Sequence, residues 1–260
     1  GMLAGGLLAD LLGFSATALL FGACTALTIV PSLVFVPRGK GPQPVSASGA
    51  PSEAVAWRES TVLWVMATGL VVALIYQGLY ASTLSRLINV HVGSSVTVWG
   101  VAVGAATLAG ALQALRWAWE PWLAPWFGRL SDRRYGRRAV MTASLGAGAI
   151  FFGLAALTLP LPLWIGALLG AQLAGTSLTT CADAVASDAA SVAGGRTFMM
   201  WYSFAADLGA ALGPLIAYLI NDLWSMDAAY AGTAGLLLLF TLKWFRAAPV
   251  ATGPSLARKG

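Results

Sequence analysis

Seven times along this chain an apolar stretch runs for about twenty residues or more, the length a helix needs to cross the hydrocarbon core of a bilayer. The stretches are roughly 14–36, 61–88, 97–127, 139–159, 163–186, 198–220 and 226–245, and residues 1–12 read as the end of an eighth. Breakers separate them: Pro37 to Pro42, then Pro160-Leu161-Pro162, then Gly194-Gly195. A water-facing surface is also out of reach. Of 260 residues 58% are hydrophobic and 10% charged, whereas a globular domain carries about 25% charged residues. The reading is an all-α integral membrane protein with seven complete crossings and part of an eighth. Eleven Trp fit it, because amphipathic indole rings favour the membrane–water boundary.

The basic residues are unevenly placed. Arg38, Lys40 and Arg58 flank a stretch rich in Pro, Ser, Gly and Ala, the composition of a flexible linker. Arg129, Arg133, Arg134, Arg137 and Arg138 crowd one short loop, Arg196 lies in another, and Lys243, Arg246, Arg258 and Lys259 close the chain. With alternating crossings all of these fall on one face. The opposite loops, around 89–96, 160–162 and 221–225, contain no Lys or Arg. The positive-inside rule makes the basic face cytoplasmic, in a plasma or inner membrane, with the linker, the basic loop and the C-terminus inside. The net charge of +5 therefore points to membrane lipid as a partner and not to nucleic acid. The expected organisation is 1–37 as the end of one bundle, 38–60 as linker, 61–246 as a six-helix bundle and 247–260 as tail. Cys24 and Cys181 stand in apolar runs and read as buried free thiols.

The basic loop reads Gly128-Arg-Leu-Ser-Asp132-Arg-Arg-Tyr-Gly136-Arg-Arg138. Gly128 would let two helices approach closely, Asp132 could cap a helix N-terminus, and the arginines offer partners to carboxylates at other helix ends. This loop resembles the signature loop of the major facilitator superfamily, of the form G-x-L-A-D-R-x-G-R-R. It departs from the pattern in one place: Tyr135 stands where a glycine is usual, three residues separating Asp132 from Gly136 instead of two. The resemblance implies that the seven stretches are helices six to twelve of a twelve-helix transporter. Residues 1–12 would end helix five, and the N-terminal half would be a missing partner belonging to the same protein. Gly1-Met-Leu-Ala-Gly5-Gly6 is similar to the tail of the family's helix-five motif G-P-x-x-G-G, and Asp207-Leu-Gly209 with Gly213-Pro214 looks like its counterpart in helix eleven. The family further implies a charge network between the loop and the next basic-side turn, with Asp132, Arg133, Asp188 and Arg196 as a cytoplasmic latch. Asp183 reads as a gate or anchor near it.

Ionisable groups inside the bilayer cost about 2.5–3.5 kcal/mol each on insertion scales, so each is a functional candidate. In the stretch 97–127, Gln113, Arg116, Trp117 and Glu120 recur on one helical stripe, and Arg116 and Glu120, one turn apart, can pair. Gln172, Thr176, Thr179 and Asp183 form a second stripe in 163–186, while Tyr76, Tyr80 and Thr83 share a face in 61–88 with Gln77 beside them. Asp207 lies near mid-depth of 198–220.

Enzyme chemistry finds no support. His91 is the only histidine, which precludes a histidine-based pair of metal ligands, and no G-x-x-x-x-G-K phosphate loop occurs. No cofactor or metal is expected. The remaining expectation is a secondary transporter of small molecules working by alternating access. Buried acids and many aromatics suit proton-coupled efflux, toward which the antiporter-associated helix-five motif leans. Arg116 in a cavity would suit an anionic-metabolite permease instead, and a non-transporting membrane sensor or accessory protein is the third possibility. Substrate and protons are the implied small partners.

Overall fold

The computed structural model describes residues 2–27, 60–93, 95–98, 101–192 and 195–246. Within them the chain is helical apart from one short hairpin. Helix α1 spans Met2–Leu12 and α2 spans Phe14–Leu27, broken apart at Gly13, whose φ of 83° places it in the left-handed region. The linker expected at 38–60, except for Ser60, and the tail at 247–260 lie outside the described residues.

Helix α3 starts at Ser60 and runs to Val92, but its middle, Leu74–Tyr80, widens into a π-helical stretch. Two strands follow, β1 at Ser95–Val98 and β2 at Val101–Gly104, paired antiparallel with Ser95 opposite Gly104 and Val98 opposite Val101. A helix from about residue 97 was expected here. The correction has a local cause: Val recurs through both segments, joined by Thr97 in the first, and β-branched residues favour the pleated backbone over the helix. Helix α4 therefore begins at Ala105 and runs to Arg129, continued by a second π-helical stretch, Leu130–Tyr135. The remaining helices are α5 (Arg137–Ala155), α6 (Leu161–Val192), α7 (Gly195–Leu223) and α8 (Met226–Arg246). Helix α6 continues past the expected end at 186.

Among the described residues five helices, α3, α5, α6, α7 and α8, are long and apolar enough to cross a membrane. Helix α4 is 25 residues long but is made less apolar by Arg116, Glu120 and Arg129. Helix α5 packs between α6 and α8, α3 lies against α7, α4 lies against α6 and the second half of α3, and α1 lies along α4. Many large apolar side chains, such as Trp122, Leu215, Leu239 and Phe245, are left uncovered by the chain. In water that would be ruinous; in a bilayer it is the lipid-facing surface. Cys24 belongs to this class and is exposed, correcting the expectation of two buried thiols, whereas Cys181 is buried.

The α3–α7 seam shows what the glycines do. Pro214 cannot donate to the Ala210 carbonyl one turn back, and that oxygen faces Gly78, where a Cβ would lie only 2.7 Å away. Gly213 in turn meets the Gly78 and Leu79 backbone of the π stretch. Small residues bring two backbones together without a hydrophobic drive between them, which in lipid is absent.

Candidate functional site

The π stretch of α3 carries Tyr76, Gln77 and Tyr80. Tyr76 and Tyr80 are fully buried, while Gln77 points to the outside of the bundle. The two phenol rings meet Phe152 edge-on at 5.5 and 5.7 Å between centroids. The Tyr80 hydroxyl donates to the Leu168 carbonyl at 3.2 Å and accepts from Gln172 Nε2 at 3.2 Å. Tyr80 is thus satisfied by its surroundings. The Tyr76 ring occupies a slot between α5 and α6, where a Cβ on Gly175 would meet the ring at 2.5 Å and one on Gly148 would meet the hydroxyl at 2.7 Å. Its hydroxyl has no hydrogen-bond partner.

Helix α4 brings the charges. Gln113 and Arg116 are buried, Arg116 being 7% exposed. Helix α4 packs against the second half of α3 and against α6, so Arg116 belongs to the same part of the bundle as the π stretch. Trp119, one residue before Glu120, donates from its indole to Thr176 Oγ1 at 3.4 Å, and Thr176 donates in turn to the Gln172 carbonyl at 3.3 Å. So Tyr76, Tyr80, Gln172 and Thr176, with Trp119 and Arg116 of α4, gather where α3, α4 and α6 pack together. Thr176 belongs to the α6 stripe singled out in the sequence, whereas Trp119, which reaches it, does not stand out there.

The Arg116–Glu120 pair does not form. No ion pair joins them among the described residues, and Arg116 Nε and Glu120 Oε2 are both buried without a hydrogen-bond partner. One-turn spacing allows pairing only if both side chains turn toward each other. Gln172 Oε1 is likewise without a partner. Tyr76, Arg116, Glu120 and Gln172 therefore each hold a buried polar atom that the protein leaves unanswered, which is rare because such atoms are costly in an apolar interior. Asp207 is not in this group. It stands on the uncovered face of α7 near Phe204 and Leu208, with no polar partner among the described residues.

The signature loop forms a second polar centre. Arg137, the first residue of α5, donates from Nε to Asp132 Oδ1 at 2.8 Å, pairs through Nη1 with Asp188 Oδ2 at 2.6 Å, and also reaches the Ala184 carbonyl at 2.7 Å. Asp132 serves as an acceptor for this arginine and caps no helix: α5 has no side-chain cap. Arg133 and Arg196, expected in the latch, make no ion pair among the described residues, because both point outward. Arg138 donates to the Trp244 and Phe245 carbonyls at 2.9 and 2.5 Å, closing the C-terminus of α8 where cations are favoured. Asp183 accepts from Tyr202 at 3.1 Å and so ties α6 to α7.

The loop glycines divide differently from expectation. A Cβ on Gly128 would find only Thr180 at 4.0 Å, so no close approach demands it. Gly136 carries φ 83° at the turn between the π stretch and α5. The π-helical Leu130–Tyr135 explains how a loop with one residue more than the family pattern still ends on a glycine: a wider helical turn takes up the extra residue.

A family model described as Major Facilitator Superfamily matches residues 121–260, from the second half of α4 through the signature loop to the end of the chain. A comparison with curated proteins found no match.

Proposed function

This chain belongs to the major facilitator superfamily, a family of membrane transporters, and on that premise we propose that it works as a proton-coupled secondary transporter of small molecules. The observation that carries the reading is the set of unanswered polar atoms on Tyr76, Arg116, Glu120 and Gln172, each buried within the helical bundle. Such groups in a membrane interior are retained when a solute or a proton answers them during the working cycle. Glu120 and Asp207 are the carboxylates we assign to proton binding. Protonation of either changes which arrangement of the helices costs less, and a proton gradient can act on that difference.

Export suits this reading, with the signature loop, the linker and the C-terminus on the cytoplasmic side of the cell membrane, since the basic residues gather there. Gly5 and Gly6 of the helix-five-like motif, with Gly6 against α4 and Gly5 facing Phe21 of α2, support an antiporter. Proteoliposomes holding the protein and a pH-sensitive dye test it. A panel of solutes should include one whose addition moves protons across the membrane, saturably and only with intact Glu120. Solute flux that ignores an imposed pH gradient throughout would refute proton coupling. The unpartnered guanidinium of Arg116 favours a second reading, uptake or export of an anionic metabolite.

A further inference from the structure

We propose that the cluster between α4, the π stretch of α3 and α6 binds a small zwitterion, its carboxylate taken by Arg116 and its ammonium by Glu120. The proposal rests on the transporter reading for its purpose, but its chemistry comes from the cluster alone. Arg116 and Glu120 lie one turn apart on α4, about 6 Å along the axis, and yet they are unpaired. Each retains an atom ready for an opposite charge. Together they sum to zero. A simple anion would answer Arg116 and leave Glu120 facing a like charge; a simple cation would do the reverse. Only a ligand with both signs removes both burial costs at once, because a buried charge left alone is strongly unfavourable while a matched set is tolerable.

The uncharged orphans repeat the pattern at the inner end of the cluster. Tyr76 offers a hydroxyl, and Gln172 offers an acceptor oxygen while its Nε2 is committed to Tyr80. Tyr76 and Gln172 are fully covered by the chain and Arg116 nearly so. The walls are bulky and fixed: Phe152 braces both tyrosines, and Thr176 holds the Trp119 indole. A compact ligand suits such walls and a large drug-like cation does not, since Arg116 would repel it. Protons and the ligand ammonium then compete for the same Glu120 carboxylate, which is a direct route to exchange of one for the other.

Two matched probe sets test this on the full chain in nanodiscs. The first is leucine, 4-methylpentanoate and 3-methylbutylamine; the second is γ-aminobutyrate, butyrate and propylamine. Binding is read by thermal shift and by intrinsic fluorescence, with Trp119→Phe identifying the local part of the signal. At least one zwitterion should bind tenfold or more tighter than its amine-free and carboxylate-free counterparts. Glu120→Gln should lose that preference and bind the amine-free acid as well as the zwitterion. Arg116→Gln should shift the preference toward the amine. An exchanged preference is something a merely damaged protein cannot produce. The proposal is overturned if an acid or an amine alone matches its zwitterion on the unaltered protein, if Glu120→Gln folds and keeps the zwitterion preference, or if no probe binds and water alone answers the orphans. Proton-coupled flux of a singly charged solute would overturn the zwitterion while sustaining transport. Zwitterion binding without any flux would do the opposite.

Discussion

The carboxylate of Asp10, near the end of α1, accepts a hydrogen bond of 2.7 Å from the backbone N–H of Thr107 in the first turn of α4. Helix α4 has no side-chain cap from its own N-cap residue, Gly104. Asp10 supplies the cap from another helix, where its negative charge also suits the positive end of the helix dipole. Gly104 makes this possible, because a Cβ there would collide with the Asp10 carboxylate, and Gly6 likewise abuts the Ala106 carbonyl. The contact is exposed, so it can open and close without breaking a core.

Removing the borrowed cap should therefore loosen α1 from α4. Asp10→Ala is expected to cost about 0.5–2 kcal/mol, the range for loss of an N-cap side chain. Gly104→Ala should weaken the same contact from the other side. Cysteines introduced on the facing surfaces of α1 and α4 would report it: slower disulfide formation in both variants is expected, and unchanged rates would show that the cap holds nothing.

At the signature loop, Arg137 should matter and its neighbours should not. Arg137→Ala strands Asp132 and Asp188, and a partly exposed network of this kind is expected to give up about 1 kcal/mol. Arg133→Ala and Arg196→Ala should stay within about 0.5 kcal/mol of the parent. Unfolding of the detergent-solubilised protein, followed by Trp fluorescence, separates these outcomes.

The two loop glycines should behave oppositely. Gly136→Ala forces an L-residue to φ 83° and should cost about 1–3 kcal/mol. Gly128→Ala has room for its methyl, with the nearest atom at 4.0 Å, and should be nearly silent. The same melting measurement decides, and equal effects would mean that Gly128 is held by a contact absent from this conformation.

Asp207 offers a cleaner test of coupling than Glu120, because nothing in the bundle depends on its charge. Asp207→Asn is expected to abolish uphill transport in proteoliposomes while solute binding persists. Uphill transport at the parental rate would move the coupling role to Glu120.

The amino-acid sequence determined a good deal of this protein by itself. Apolar length and breaker residues are local properties, and they located α3 and α5 to α8 to within a few residues except at the end of α6, which runs on to Val192. The same locality placed the basic residues at helix ends and made the signature loop recognisable. It also brought Tyr76, Arg116, Gln172 and Thr176 forward as candidates, because a polar residue in an apolar run is conspicuous without any fold. What the sequence could not settle was which polar group answers which. Arg133, Arg137 and Arg138 look equivalent as a string, but helix start and backbone direction aim Arg137 at Asp132 and Asp188, Arg138 at the end of α8, and Arg133 outward. Arg116 and Glu120 have the spacing of a pair, and yet each keeps a buried atom without a partner. Asp10 and Thr107 stand far apart in the chain, so no periodicity relates them. Only tertiary structure decides such partnerships, because a hydrogen bond or an ion pair depends on distances and directions set by several segments at once, whereas the drive to leave water acts on each segment alone.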